Sequence, residues 1–232
     1  MGKGLPYYFF KIVESYQYNI STTIGIQSPS NISYFKKKMP KHHSKVEVLH
    51  NWIACPTSLK CSITINNTSL AGRKIFVYAG NMGLAQGMSG IMNIIKELDT
   101  IRQDIGFLFI GRGSESKKYK EQALKFNLKN ILVKDEIEPS EIPGLYSQCN
   151  YGLVFLDPRH ETHNIPGKFI SYMRNGLPVI ACINKGNDLF DIIKENKVGK
   201  AFKGIPHDEV KKEIMNMVDN ISDKSDQIND KI

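Results

Sequence analysis

From Lys74 onward the apolar positions of the chain fall into two alternating rhythms. Unbroken apolar runs occupy residues 75–79 (IFVYA), 105–110 (IGFLFI), 131–133, 151–156 (YGLVFL), 178–183 (PVIACI) and 199–202. Short runs of this kind, bounded by glycine or proline, suit strands covered on both faces. Between them the spacing changes to threes and fours. Met88, Ile91, Met92, Ile95 and Leu98 share one helical face, as do Leu189, Ile192 and Ile193. Pro139 and Ser140 open another helical stretch, with Glu141 in its first turn, where a carboxylate meets the positive end of a helix. Strand and helix in regular succession predict an α/β fold with a doubly wound, mostly parallel sheet over residues 73–205. Residues 206–220 predict a closing helix, with proline at its start, Asp208 and Glu209 in its first turn, and Val210, Ile214 and Val218 on one stripe. The polar residues up to 232 read as its frayed tail.

The first seventy residues hold neither rhythm for long. Residues 23–27 predict a short strand, 31–39 a helix and 46–50 a second strand. Residues 53–72 are short on charge and rich in Ser, Thr and Asn, and read as a linker. One strand–helix–strand unit cannot bury both faces of a sheet, so residues 1–52 are expected to be a fragment of a larger element. Trp52, the only tryptophan, is expected to be a packing anchor at the boundary.

Composition changes this picture little. A chain of 232 residues, 41% hydrophobic and 23% charged, is that of an ordinary globular protein able to bury a core. No apolar run approaches the roughly 20 residues of a membrane-spanning helix. The apolar cluster before Lys11 is too short for a signal peptide, so a cytoplasmic location is expected. Cys55, Cys61, Cys149 and Cys182 lack C-x-x-C spacing, which predicts reduced thiols rather than a zinc ribbon or disulfide scaffold. Charge matters more. Of the net +8, +6 lies in the first sixty residues, where eight lysines face two acids, and five of those lysines fall within residues 36–45. The plain reading is a solvated loop or helix end; the functional ones are an anionic membrane leaflet or nucleic acid.

In an open parallel sheet, ligands sit in the loops beyond the carboxyl ends of the strands. Three loops stand out: residues 80–87 (GNMGLAQG), 111–115 (GRGSE) and 157–168 (DPRHETHNIPGK). Glycines there let backbone N–H groups approach an anion at a helix start. Neither glycine loop is a standard phosphate motif: G-x-x-x-x-G-K-[ST] is missing, and Ser116 stands where a third glycine would complete a dinucleotide fingerprint. Arg112 and Lys168 add two cations that could neutralise a diphosphate. His160, Glu161 and His163 do not have the H-E-x-x-H spacing of a zinc protease, and no metal is expected. Asp157 and Glu161 read as solvated carboxylates rather than a catalytic pair.

Taken together, YAGNMGLAQG at 78–87, FLFIGRGSE at 107–115 and PGKFISYMRNGLPVIA at 166–181 resemble one family. They are similar to the C-terminal, donor-binding domain of group 1 (family 4) retaining glycosyltransferases of GT-B type, such as those that build bacterial capsule and O-antigen sugars. IQSPSNI at 26–32 and VEVLHNW at 46–52 resemble the last piece of that family's N-terminal domain and its crossover. The resemblance implies two Rossmann-like domains facing across a cleft, with the nucleotide-sugar held mainly by the C-terminal one. By that similarity Asn81, Gly83 and Gln86 border the diphosphate, Arg112 and Gly113 lie beside the nucleotide, and Lys168 meets the phosphates. Asn164 belongs to the same donor loop. The family's two glutamates, eight positions apart, fall here at His163 and Ser171, and its arginine and lysine of the first loop fall at Asn81 and Gln86. Gly167 replaces the serine common in P-S-K. No catalytic residue is assigned.

The implied reaction transfers a glycosyl group from a nucleoside diphosphate to an acceptor hydroxyl with retained configuration, without a cofactor or metal. Implied partners are the nucleotide-sugar donor, a lipid-linked or oligosaccharide acceptor, a separate subunit supplying the acceptor domain, and an anionic membrane surface. A non-catalytic nucleotide-sugar-binding module, or a split transferase, is the alternative. Nucleic acid is disfavoured, because only Tyr34 and Phe35 stand among the lysines and no nucleic-acid motif is present.

Overall fold

The computed structural model describes residues 4–53, 59–159 and 164–220. They form two compact units: Met1–Asn51 with His163–Ile165, and Trp52–Thr162 with Pro166–Ile232.

The second unit carries a six-stranded, all-parallel sheet. Its strands are β3 (Lys74–Ala79), β4 (Ile105–Ile110), β5 (Ile131–Lys134), β6 (Tyr151–Phe155), β7 (Val179–Ile183) and β8 (Gly199–Lys203). Their order across the sheet is β5-β4-β3-β6-β7-β8, so the winding reverses between β3 and β6. This is the doubly wound order of dinucleotide-binding sheets. The continuous apolar runs have the expected cause: every residue of β4, β6 and β7 is buried, because helices cover both faces. At the edge, β8 alternates, with Phe202 buried and Lys200 and Lys203 exposed. Charged edge residues of this kind discourage further strand pairing.

One face of the sheet is aromatic. Phe76 stacks on Phe107 and Tyr151 with centroids 5.6 and 4.5 Å away, and Tyr78 meets Phe109 and Phe155 at 6.0 and 5.8 Å. Against it pack Ile91, Met92, Ile94, Ile95 and Leu98 of α3 (Ile91–Ile101), Tyr119 of α4 (Ser116–Lys125), and Val210, Ile214 and Val218 of α8 (His207–Asp219). The stripe expected for the closing helix is therefore the one buried. Ion pairs hold α8 to the α3 side: Lys211 Nζ lies 2.6 Å from a Glu97 oxygen, and Arg102 binds both Asp104 and Asp219 at 2.8 Å. The remaining helices are α5 (Ile142–Tyr146), α6 (Gly167–Arg174) and α7 (Leu189–Asn196). The stretch expected to be a linker does more than link, since Ile63, Ile65 and Leu70 are buried. Gln148, just beyond α5, accepts from the Ile65 N–H and donates to the Ile63 carbonyl, both at 2.9 Å.

The first unit contains α1 (Leu5–Ile20), β1 (Ile24–Ile26), α2 (Ser30–Lys38) and β2 (Val46–Val48). β1 and β2 pair in parallel over three residues, and Ile24, Ile26 and Phe35 form a small core. The strand–helix–strand reading holds here with shorter strands. α1 was not expected, although Leu5, Phe9, Ile12, Tyr16 and Ile20 recur at threes and fours along one helical face; all five are exposed. Lys45 explains part of the basic run: its ammonium donates to the carbonyls of Tyr18, Asn19 and Ser21 at 3.2, 3.0 and 2.9 Å. A cation there satisfies the orphan acceptors at the end of α1. Lys36, Lys37 and Lys38 likewise sit in the last turn of α2. One expectation is corrected outright. Trp52 is no packing anchor but is 80% exposed, in a segment outside every element.

Candidate functional site

The reversal between β3 and β6 leaves a seam that backbone pairing closes only briefly. β3 matches β4 over six positions but β6 over two, Phe76 with Tyr151 and Val77 with Gly152. Side chains stitch both ends of that seam. At the lower end the Ile75 N–H donates to Asn150 Oδ1 at 2.8 Å. At the upper end stands Tyr172 of α6, fully buried, whose hydroxyl accepts from the Ala79 N–H at 3.4 Å. Its own proton is shared between the carbonyls of Val77 (3.1 Å) and Leu153 (3.3 Å). Gly152 makes room for the ring, since a Cβ there would lie 2.4 Å from a Tyr172 ring carbon.

Above the seam the glycine loops interlock. The Gly80 N–H donates to the Ile110 carbonyl (2.9 Å), the Met82 N–H to that of Arg112 (2.7 Å), and the Glu115 N–H to that of Met82 (2.9 Å). Gly111, at φ +143°, lies so close that a Cβ would be 2.0 Å from the Gly80 carbonyl oxygen. Gly87, at φ +59°, abuts Asp157, whose N–H donates to the Ala85 carbonyl at 3.0 Å. The loops after β3, β4 and β6 therefore form one backbone mesh. Asp157, expected to be solvated, is instead buried and accepts from the backbone N–H and guanidinium of Arg159, while Glu161 lies outside the described residues.

Within this mesh the expected residues fall as follows. Lys168 lies in the first turn of α6, one helical turn before Tyr172 and on the same face. Its Nζ stands 3.6 Å from the centroid of the Tyr78 ring and beside Gly80, 3.4 Å from where a Cβ would be. Desolvation lowers its pKa to about 7, and among the described residues no carboxylate offsets that effect. Tyr78 itself is buried, its hydroxyl donating to the Asn81 carbonyl at 2.6 Å and its pKa pushed up by desolvation. The Gly83 N–H and the Asn81 side-chain amide both donate to Gln86 Oε1, at 2.9 and 3.4 Å. Gly113, at φ +140°, packs on the backbone of Met82 and on Asn81 Oδ1. Arg112, 81% exposed, pairs with Glu136 at 3.3 Å.

Asn81, Gly83, Gln86, Gly113 and Lys168 are thus gathered at the carboxyl ends of the strands, with the Arg112 backbone woven into the same loop. Ser171 directs its hydroxyl to the Gly167 carbonyl at 3.4 Å. Asn164 belongs to the first unit, where it accepts from Asn31 at 3.4 Å. His163, with His160 and Glu161, lies outside the described residues. Tyr172, Gly152 and Asn150 were not singled out beforehand. Their partners lie from 19 to 95 residues away, and only the glycine facing a strand gap hinted at them.

An open parallel sheet of this order, with glycine loops at its reversal point, is Rossmann-like, and its likeness to solved structures matches it to the C-terminal half of a GT-B fold. The match of the family model "Glycosyl transferases group 1" to residues 64–231 then shows that the chain belongs to that family. It is 23% identical over 201 residues to the probable glycosyltransferase WbjE of Pseudomonas aeruginosa, covering 84% of this chain and 49% of that protein. The chain thus spans about half the length of this curated relative. Among solved structures it is similar in fold to Anabaena Alr3699/HepE in complex with UDP and glucose, with a TM-score of 0.72 at 12% identity, over 93% of this chain and 58% of that one. A point mutant of S. aureus TarM, in complex with fondaparinux, alpha-GlcNAc-glycerol and UDP, gives a TM-score of 0.71 at 14% identity, over 94% and 42%.

Proposed function

We propose that this chain is the donor-binding half of a retaining glycosyltransferase, of the family 4 kind, which transfers a sugar from a nucleoside diphosphate to an acceptor hydroxyl in bacterial polysaccharide biosynthesis. The observation that carries the reading is Lys168, a half-buried ammonium beside Gly80 at the seam of the sheet, where three glycine-bearing loops meet. As the sugar–phosphate bond breaks, negative charge develops on the leaving diphosphate, and a preorganised cation with backbone donors stabilises that charge. In this role Lys168 needs no metal beside it. The UDP held by the TarM and HepE structures supports a nucleoside diphosphate as the ligand class, and the probable glycosyltransferase WbjE supports glycosyl transfer as the reaction class.

Because the chain spans about half of its curated relative, turnover is assigned to this half together with an acceptor-binding half, on a separate subunit or otherwise supplied. A second reading is a module that holds nucleotide-sugar without turning it over. An oligosaccharide or lipid-linked acceptor is proposed, with a peripheral place on an anionic membrane through Lys36, Lys37 and Lys38. Losing the charge-assisted bond of Lys168 removes about 1.5–3 kcal/mol of phosphate interaction. Lys168→Ala should therefore weaken nucleoside diphosphate binding at least tenfold in calorimetry; unchanged affinity would remove the assignment. Sedimentation with anionic vesicles should fall with salt and on replacing the three lysines by serine. Binding indifferent to both would end the membrane reading.

A further inference from the structure

Helix α1 is turned inside out relative to the unit it belongs to. At about 3.6 residues per turn, Leu5, Tyr8, Phe9, Ile12, Tyr16 and Ile20 share one face. All six are between 56% and 88% exposed. Contacts to the rest of the unit come from the other side of the helix. There Tyr18 meets the rings of Phe35 and His42 at 5.5 and 5.8 Å, and Glu14 accepts from the Tyr18 hydroxyl at 3.4 Å. An ordinary surface helix turns its apolar stripe to the core instead. So large an apolar face is rarely left bare.

The face carries no side chain that is charged at neutral pH. The charged residues of α1, Lys11 and Glu14, lie on the other side and are paired with each other. A helix that rests in a lipid surface has a polar face rich in Lys and Arg. α1 has one lysine, already paired, so lipid is a poor occupant. The apolar residues are also placed symmetrically about the middle of the helix, between Ile12 and Val13. In an antiparallel pair, Leu5 of one copy lies level with Ile20 of the other, and Phe9 with Tyr16, while Ile12 meets its own equivalent. That is the self-complementarity an isologous interface needs.

We propose that the outer face of α1 is a homodimer interface, where two copies of this chain pair antiparallel about a two-fold axis near Ile12. Aromatic side chains offer about 150–250 Å² each, so the face presents several hundred Å² per copy. Two such faces reach the lower end of the roughly 1,200–2,000 Å² that specific interfaces bury, which makes the dimer reversible. Each copy carries a formal +8, so the copies repel at long range although the mated faces are uncharged. Salt screens that repulsion and should tighten the dimer, the opposite of its effect on lysine-driven adsorption to lipid. The pairing needs neither nucleotide nor acceptor and is independent of the donor-site reading.

Sedimentation velocity on the full chain should show a monomer at low micromolar concentration and a dimer at high micromolar, with affinity rising severalfold as NaCl is added. Ile12→Glu sets two carboxylates against each other at the axis and should keep the chain monomeric throughout. Ile12 is exposed, so the melting temperature of the dilute variant should match the wild type. Phe9→Glu should weaken the dimer at least tenfold. Adding Tyr16→Lys to the same chain should recover most of that loss, because the antiparallel register brings the new charges together between copies. Within one helix they stand about two turns apart and do not meet. A wild type that stays monomeric overturns the proposal, as does an Ile12→Glu variant that still dimerises or a double variant that recovers nothing. Wild-type adsorption to phosphatidylcholine vesicles without self-association, lost in Ile12→Glu, also overturns it and gives the face to lipid.

Discussion

The ammonium of Lys168 rests on the ring of Tyr78 rather than on a carboxylate, so folding and anion binding pull on its proton in opposite directions. Folding lowers its pKa to about 7, below the ordinary lysine value kept by the unfolded chain. From pH 7 up to that ordinary value the unfolded state binds more protons, so this group's contribution to stability improves as pH rises. Below pH 7 both states are charged and the full cost of burial is present. Lys168→Met should therefore stabilise the protein at pH 6 by roughly 1–3 kcal/mol, the ring contact and residual solvation offsetting part of the shift. The gap should close toward pH 10 in urea titrations, and equal stability at pH 6 would contradict it. A bound anion favours the charged form. Affinity for a nucleotide-sugar should then fall from pH 7 to 9, by at most about tenfold per unit. Lys168→Arg, whose guanidinium stays charged, should show no such fall. The sequence shows where Lys168 and its glycines lie along the chain. That the lysine lies on an aromatic ring is not legible there, because Tyr78 reads as one more residue of a strand.

At the scale of elements, α6 does two tasks one turn apart: Lys168 faces the crevice and Tyr172 is buried in the sheet seam. Tyr172→Phe keeps the ring but strands the Ala79 N–H and two carbonyl interactions, at a cost of about 1–3 kcal/mol. It should also loosen nucleotide binding while Lys168 remains intact, which a purely structural hydroxyl would not do. Gly152→Ala drives a methyl into the Tyr172 ring and should cost about 1–3 kcal/mol or more in denaturant titrations. A wild-type midpoint for that variant would mean that the ring has somewhere else to go. The strands of this unit were legible because burial on both faces leaves an unbroken apolar run, as at residues 105–110. α1 has the opposite character: Leu5, Phe9, Ile12, Tyr16 and Ile20 keep the threes and fours of one helical face, yet that face is exposed, and the unbroken apolar cluster of Tyr7, Tyr8, Phe9 and Phe10 blurs the rhythm. The lysine run was only half legible, since Lys45 acts through the carbonyls of a helix about 25 residues upstream.

The two units differ sharply in what holds them together. The second has a six-stranded sheet with a continuous core on one face. The first has strands of three residues, a core of Ile24, Ile26 and Phe35, and a helix with no buried side chain. Local opening follows buried contact, so hydrogen exchange across α1, β1, α2 and β2 should run orders of magnitude faster than across β3, β4, β6 and β7. Equal protection would show that something outside these residues covers the first unit. Within the second unit, the place where the sheet is least tightly knitted is also the place where its polar loops meet. β5, β4 and β3 form one panel and β6, β7 and β8 another, joined by two backbone register pairs, two side-chain stitches and the ring contacts of Phe76 with Tyr151 and of Tyr78 with Phe155. Mechanically, the β3–β6 boundary is the shortest seam in the sheet. A ligand touching Lys168 from one panel and Gly83 from the other fastens them like a latch, so the force needed to tear the domain open should rise with occupancy.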